Sequence, residues 1–257
     1  MSIPLFISQL SVHYGQTTAL WDINLQIPPG QLGGIIGPNG AGKSTLIQAA
    51  LGLLPGVSVS GKVEFFGAPL SKVRSRVAYV PQRHSIDWDF PITVEELVLM
   101  GSYGKLALCR RPGTKERTAA AHYLEQVGMT PYAKRQIGQL SGGQQQRAFL
   151  ARALLQEADL YLMDEPFSGV DLTTEAVIMG ILKKLRLQGK TILVVHHDLN
   201  SVENYFDWMV LLNVRLIASG KVSETFTPEN LYKTYGKNYS LFDEALKLSQ
   251  LKASGAL

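Results

Sequence analysis

The chain has 257 residues, 46% of them apolar and 18% charged, with a net charge of +4. That balance supports a full buried core and excludes a disordered or fibrous polypeptide. The small basic surplus is spread along the sequence rather than gathered into a block, which argues against a nucleic-acid groove, and a single cysteine, Cys109, rules out a disulfide framework and suits a reducing compartment.

The opening MSIPLFIS has no basic n-region and breaks before a secretory h-region can form, so no signal peptide is expected. No run approaches 18 uninterrupted apolar residues, so no membrane span is expected either. Short strands are predicted at residues 5–7 and 23–27, the latter alternating with period 2. Residues 32–36 form an apolar run that ends in GPNG, and residues 44–54 then switch to helical period. Leu46, Ile47, Ala50, Leu51 and Leu54 mark one helical stripe. The two adjacent glycines Gly33 and Gly34 are expected to weaken the strand locally.

This strand–loop–helix junction carries GPNGAGKS, residues 37–44, which matches G-x-x-x-x-G-K-[ST] without deviation. Gly37, Pro38, Asn39, Gly40, Ala41 and Gly42 can turn backbone N–H groups toward phosphates. Lys43 can reach the β- and γ-oxygens, and Ser44 can bind Mg²⁺ through its hydroxyl. Thr45 continues the turn, and the positive end of the following helix faces the same anion.

Residues 84–157 read as mainly helical. A capping box opens a helix at Thr93 with Glu96, a second helix spans residues 114–127 and stops at Gly128, and Ser141 with Gln144 opens a third. Ala148, Ala151 and Leu155 share a face of that third helix. The α/β pattern then returns. Residues 160–163 form an apolar strand ending in Asp164 and Glu165. A helical stripe runs through Val177, Ile178, Ile181, Leu182 and Leu185. TILVV at 191–195 has the continuous apolar character of a parallel strand buried on both faces. Residues 208–212 and 215–218 read as a strand pair, and residues 223–257 as a polar helical tail.

Carboxylates at the C-terminal end of a parallel strand lie where α/β sheets bind ligands. Asp164 is therefore the expected Mg²⁺ partner, through water, and Glu165 the expected general base that polarises an attacking water.

Residues 140–147, LSGGQQQR, carry the resemblance that specifies the class: the sequence resembles an ATP-binding cassette (ABC) ATPase. The resemblance covers residues 5 to about 222. It implies an α/β fold: a P-loop (RecA-like) core with an N-terminal antiparallel β subdomain and an inserted helical subdomain at about 84–157. It implies ATP and Mg²⁺ as ligands, and a head-to-tail dimer in which Ser141, Gly142, Gly143 and Gln144 of one subunit face the γ-phosphate held by the other. Tyr14 resembles the aromatic that stacks on adenine, and Gln82 the glutamine that touches Mg²⁺ and joins the core to the helices. Residues 168–171, ending in Asp171, resemble the loop that crosses the dimer interface, with Gly169 where alanine is commoner. His197 resembles the switch histidine that contacts the γ-phosphate; His196 beside it leaves an offset of one open, although the following Asp198 and Leu199 favour His197.

One cassette without a long coiled coil fits a separate ATPase subunit of a transporter, or the soluble ATPase of iron–sulfur cluster assembly. The segment DWDFPITV, residues 87–94, is similar to that of ATPases serving manganese, zinc and iron importers. An importer of another substrate stays open as an alternative. Trp88, Asp89 and Phe90 are expected to lie exposed in a groove for the permease. The implied partners are a second ATPase subunit, an integral membrane permease and, indirectly, an extracytoplasmic metal-binding protein; the implied location is peripheral, on the cytoplasmic face of the inner membrane. No His/Cys/Asp/Glu cluster has the spacing of a transition-metal site, so the transported metal is not expected to touch this chain.

Overall fold

The computed structural model describes residues 2–107 and 110–236. Cys109 and the tail beyond residue 236 lie outside the described residues. The strands are β1 (Leu5–Tyr14), β2 (Thr17–Ile27), β3 (Leu32–Ile36), β4 (Ser58–Glu64), β5 (Val77–Val80), β6 (Leu160–Asp164), β7 (Thr191–His196), β8 (Trp208–Asn213) and β9 (Arg215–Lys221). The helices are α1 (Lys43–Ala50), α2 (Leu70–Val73), α3 (Val94–Leu99), α4 (Thr114–Gln126), α5 (Gly142–Leu155), α6 (Leu172–Leu187), α7 (Val202–Tyr205), α8 (Val222–Thr225) and α9 (Pro228–Tyr235).

Two sheets organise them. One is antiparallel, in the order β2-β1-β4. The other runs β5-β6-β7-β3-β8-β9 and is parallel except for β9, which returns antiparallel beside β8. The strands at its centre are apolar along their whole length because both faces are covered. In β6, Tyr161 and Met163 pack with α5 and α6 on one face, while Leu160 and Leu162 pack with α1 and the antiparallel sheet on the other. In β7, Ile192 and Val194 divide from Leu193 and Val195 in the same way. The expected α/β fold with its antiparallel sheet and helical elements is present.

Local signals placed helix starts well. The capping boxes at Thr93 and Ser141 are both formed, with side chain and backbone exchanging hydrogen bonds with Glu96 and Gln144. Gly128, at φ 67°, stops α4. Along α6 the inward face is Ile178, Met179, Leu182 and Leu185, whereas Val177, assigned to that stripe from periodicity, is exposed.

Three expectations need correction. β1 and β2 are much longer than the two short runs predicted: irregularities at Gln9 and Asp22, both with positive φ, break the alternation while pairing continues beyond them. Gly33 and Gly34 are not weak points. A β-carbon on Gly33 would stand 2.8 Å from Leu193 Cδ2, and one on Gly34 2.9 Å from the Phe206 ring, so these glycines let neighbours close onto the central strand β3. Trp88 is half-buried rather than exposed: its ring meets Phe149 edge-on at 5.6 Å and its Nε1 donates to Arg83 O at 3.0 Å. Phe90 is exposed as expected, at 58%.

Candidate functional site

The site is built at the C-terminal edge of the parallel sheet. β3, β7 and β6 are neighbours, in register at Ile36 with His196 and at Val195 with Asp164. Three adjacent strand ends therefore deliver the GPNGAGKS turn, the His196–His197 pair and the Asp164–Glu165 pair to one crevice. Asn39, Gly40, Ala41, Gly42, Lys43, Ser44 and Thr45 line a cavity of about 210 Å³ with Ala19 and Glu165. Only glycine suits position 42. Its φ is 90°, and a β-carbon there would lie 2.6 Å from Leu20 Cδ2 and 2.7 Å from Ala19 O. The antiparallel sheet thus buttresses the turn through β2, a contact that no local signal at Ala19 or Leu20 foretells.

Lys43 is 6% exposed, and its ammonium donates to the carbonyl oxygens of Gly37 and Pro38 at 2.8 Å each. One of its three protons is left to meet an anion. Burial lowers the Lys43 pKa, against the upward pull of Glu165 and Asp164. Ser44 Oγ donates to Asp164 Oδ1 at 2.8 Å. The other oxygen, Asp164 Oδ2, is buried without a partner, and burial raises this carboxyl to about 6. A bound cation would reverse that penalty. The hydroxyl and carboxylate form an oxygen-only donor pair that suits a small hard divalent ion, and among the described residues no cluster of His, Cys, Asp and Glu offers a competing site.

Glu165 follows in the left-handed region, at φ 50°. Its Oε2 accepts a hydrogen bond from Gln82 Nε2 at 2.9 Å, and its carbonyl accepts one from Gln146 Nε2 at 3.4 Å. Gln82 therefore reaches the acid expected to act as the base. The two histidines separate clearly. His196 is 3% exposed, its Nε2 pairs with Ser201 Oγ at 2.7 Å, and Phe167 stands edge-on to it. His197, one residue past the strand, is exposed and available to a ligand. Tyr14 ends β1 at the hairpin with Thr17, 42% exposed, and does not line the cavity.

The signature residues are not brought to this cavity. Ser141 caps α5, its Oγ accepting from Gln144 N at 3.5 Å while Gln144 Oε1 accepts from Ser141 N at 3.0 Å. Gly142 and Gly143 lie against the loop before α6, near Gly169 O, Val170 and Thr174. Asp171 caps α6 by accepting from Thr174 N at 2.8 Å, and Leu172 beside it is 83% exposed. Two contributors escaped the sequence reading: Gln146, and Arg83, whose Nε donates to Gln145 Oε1 at 2.8 Å. Their signal was nearness in sequence to Gln82 and Gln144, too generic to assign a role.

Comparison with known proteins identifies the family. The profile of the ABC transporter family matches residues 20–168. The zinc transport system ATP-binding protein TroB of Treponema pallidum is 56% identical over 234 residues, covering 91% of this chain and 87% of its own. The manganese transport system ATP-binding protein MntB of Bacillus subtilis is 55% identical, with 91% and 92% covered. Among solved structures, cbiO1 from Clostridium perfringens, part of the ABC transporter complex cbiONQ, superposes with a TM-score of 0.73 at 28% identity, covering 91% of this chain and 94% of that one. A nucleotide-free ATP-binding cassette from an ABC transporter gives 0.71 at 26%, covering 91% and 95%. With a complete nucleotide turn, a paired Ser44–Asp164 and an acid held by Gln82, the chain belongs to the ABC transporter family and is an ATPase of that family.

Proposed function

We propose that this chain is the ATP-hydrolysing subunit of an importer of a transition metal, manganese, zinc or iron, working through a separate membrane permease. The observation that carries the reading is identity of 55–56% over nine-tenths of the chain to ATP-binding proteins of zinc and manganese transport. The division of labour follows from the site. The turn at 37–45 cradles the phosphates, Lys43 holds the β- and γ-oxygens, and Tyr14 offers its exposed ring to adenine. Ser44 and Asp164, with Gln82, would hold Mg²⁺, which when bound neutralises phosphate charge. Glu165 takes a proton from the attacking water while Gln82 fixes its orientation. His197 contacts the γ-phosphate from its exposed position.

Because Ser141–Gln144 lie off the cavity of their own chain, the site is completed by a second copy arranged head to tail, with Asp171 and the exposed Leu172 at the junction. Domain limits of 1–222 for the cassette, with helices inserted at about 84–157, fit this division of roles. The permease side is supported by a groove of about 290 Å³ between core and helices, lined in part by Leu53, Met100 and Tyr103, all exposed. The chain would then sit at the cytoplasmic face of the inner membrane, fed indirectly by an extracytoplasmic metal-binding protein and without a nucleic-acid partner. The test is reconstitution of the chain with its neighbouring permease in vesicles. ATP-dependent uptake of radiolabelled manganese, zinc or iron, abolished by Lys43→Ala, supports the reading. ATPase activity that ignores the permease, with co-purification of soluble cluster-assembly proteins, would replace it.

A further inference from the structure

Gln82 and Arg83 are adjacent, yet their side chains reach different parts of the molecule. Gln82 Nε2 donates to Glu165 Oε2 at 2.9 Å. Arg83 Nε donates to Gln145 Oε1 at 2.8 Å, on the first turn of α5. The Arg83 guanidinium also packs close to Gly142: a β-carbon there would be 3.0 Å from Nη1 and 3.1 Å from Cζ. A β-carbon on Gly169, in the loop before α6, would be 3.9 Å from the same Nη1. One guanidinium therefore packs against the signature turn and lies near the interface loop. No carboxylate pairs with Arg83 among the described residues. The clamp is anchored at both ends. Gln145, 3% exposed, is held by its Nε2 donating to Ile137 O at 3.3 Å, and the Arg83 carbonyl accepts from half-buried Trp88.

We propose that Arg83 is a positioning residue of the shared nucleotide site: through its Nε–H bond to Gln145 and its close packing on Gly142 it sets the angle at which the signature turn meets the partner subunit's ATP. This rests on the reading of Ser141–Gln144 as the partner-facing half of that site. Arginine supplies two features here, an Nε–H donor to Gln145 and a guanidinium packed close to Gly142. Lysine keeps the charge and loses both features.

The experiment uses the full chain carrying Glu165→Gln, with two readouts: affinity of the monomer for a fluorescent ATP analogue, and the ATP concentration for half-maximal dimer by size exclusion. Arg83→Ala should leave monomer affinity and thermal midpoint near those of the parent. It should raise the ATP needed for dimerisation roughly tenfold or more, the loss expected for a charge-assisted hydrogen bond. Gln145→Ala removes the same contact from the other side, and the double variant should be no worse than the worse single one. Unchanged dimerisation in Arg83→Ala, full rescue by Arg83→Lys, or strictly additive losses in the double variant would each overturn the assignment. Ser141→Arg runs beside them. If it blocks dimerisation while Arg83→Ala does not, this inference alone fails; if Ser141→Arg dimerises normally, the shared-site reading fails and takes this one with it.

Discussion

Replacing Glu165 by glutamine removes a proton acceptor while keeping the size and reach of the side chain. The native carboxylate accepts from Gln82 Nε2 at 2.9 Å, and the glutamine carbonyl oxygen can accept the same bond, so the local geometry should survive. The chemistry should not. A positioned general base contributes roughly 10²–10⁴ in rate. That range corresponds to about 3–5 kcal/mol of barrier. Nucleotide binding should strengthen, because one negative charge facing the γ-phosphate is gone. Glu165 also helps to hold up the pKa of its neighbour Asp164, so its neutralisation favours the ionised, cation-binding form of Asp164. The assay is single-turnover hydrolysis of radiolabelled ATP in the intact complex, with size exclusion of the isolated chain at saturating MgATP. The expected result is hydrolysis slowed at least a hundredfold and an ATP-stable dimer. Hydrolysis within a fewfold of the parent would refute Glu165 as the base and move that role to another group in the crevice.

The trans arrangement predicts complementation: Lys43→Ala and Ser141→Arg homodimers should both be nearly inactive, whereas a mixed dimer places both lesions in one site and leaves the other intact. Recovery of ATP-dependent closure in verified mixed dimers checks it, and none at all would count against the trans placement of Ser141. Trp88 and Phe90 should behave differently because one is packed and the other is free. Trp88→Ala loses its edge-on contact with Phe149 and its bond to Arg83, and should cost about 2–3 kcal/mol in urea unfolding, below the usual range for fully buried aromatics. Phe90→Ala should leave stability unchanged and reduce co-purification with the permease; equal stability losses at both positions would refute the distinction. His196 supplies a pH test. Burial depresses its pKa from 6.5 to about 4, so the unfolded chain takes up the proton first and stability falls as pH drops from about 6.5 toward 4. Between pH 7 and 5 the native protein should lose about 2 kcal/mol more than His196→Phe; parallel losses in the two proteins would show that His196 does not carry that dependence.

What could be read from the sequence was local in physical origin. The GPNGAGKS turn is legible because few other residues fill left-handed or crowded positions such as Gly42, and lysine and serine follow it directly. The starts of α3 and α5 are legible because a capping box closes within four residues. The doubly buried strands at 160–163 and 191–195 announce themselves through unbroken apolar runs, since covering both faces removes any need to alternate.

Everything that depends on strand order came from tertiary structure alone. The placement of β7 between β6 and β3 brings Asp164, His196 and the phosphate turn to one edge, although they are far apart in the chain. The same long-range contacts reversed the meaning of Gly33 and Gly34, which look like weak strand residues until Leu193 and Phe206 are seen closing over them. They also moved Trp88 from the surface into contact with Phe149, and showed Arg83 reaching the signature turn. A pattern of residue types records how each element satisfies its own backbone and its own faces. Which neighbour supplies the covering surface is decided only when the whole sheet is assembled, because that choice depends on contacts between segments tens to more than a hundred residues apart.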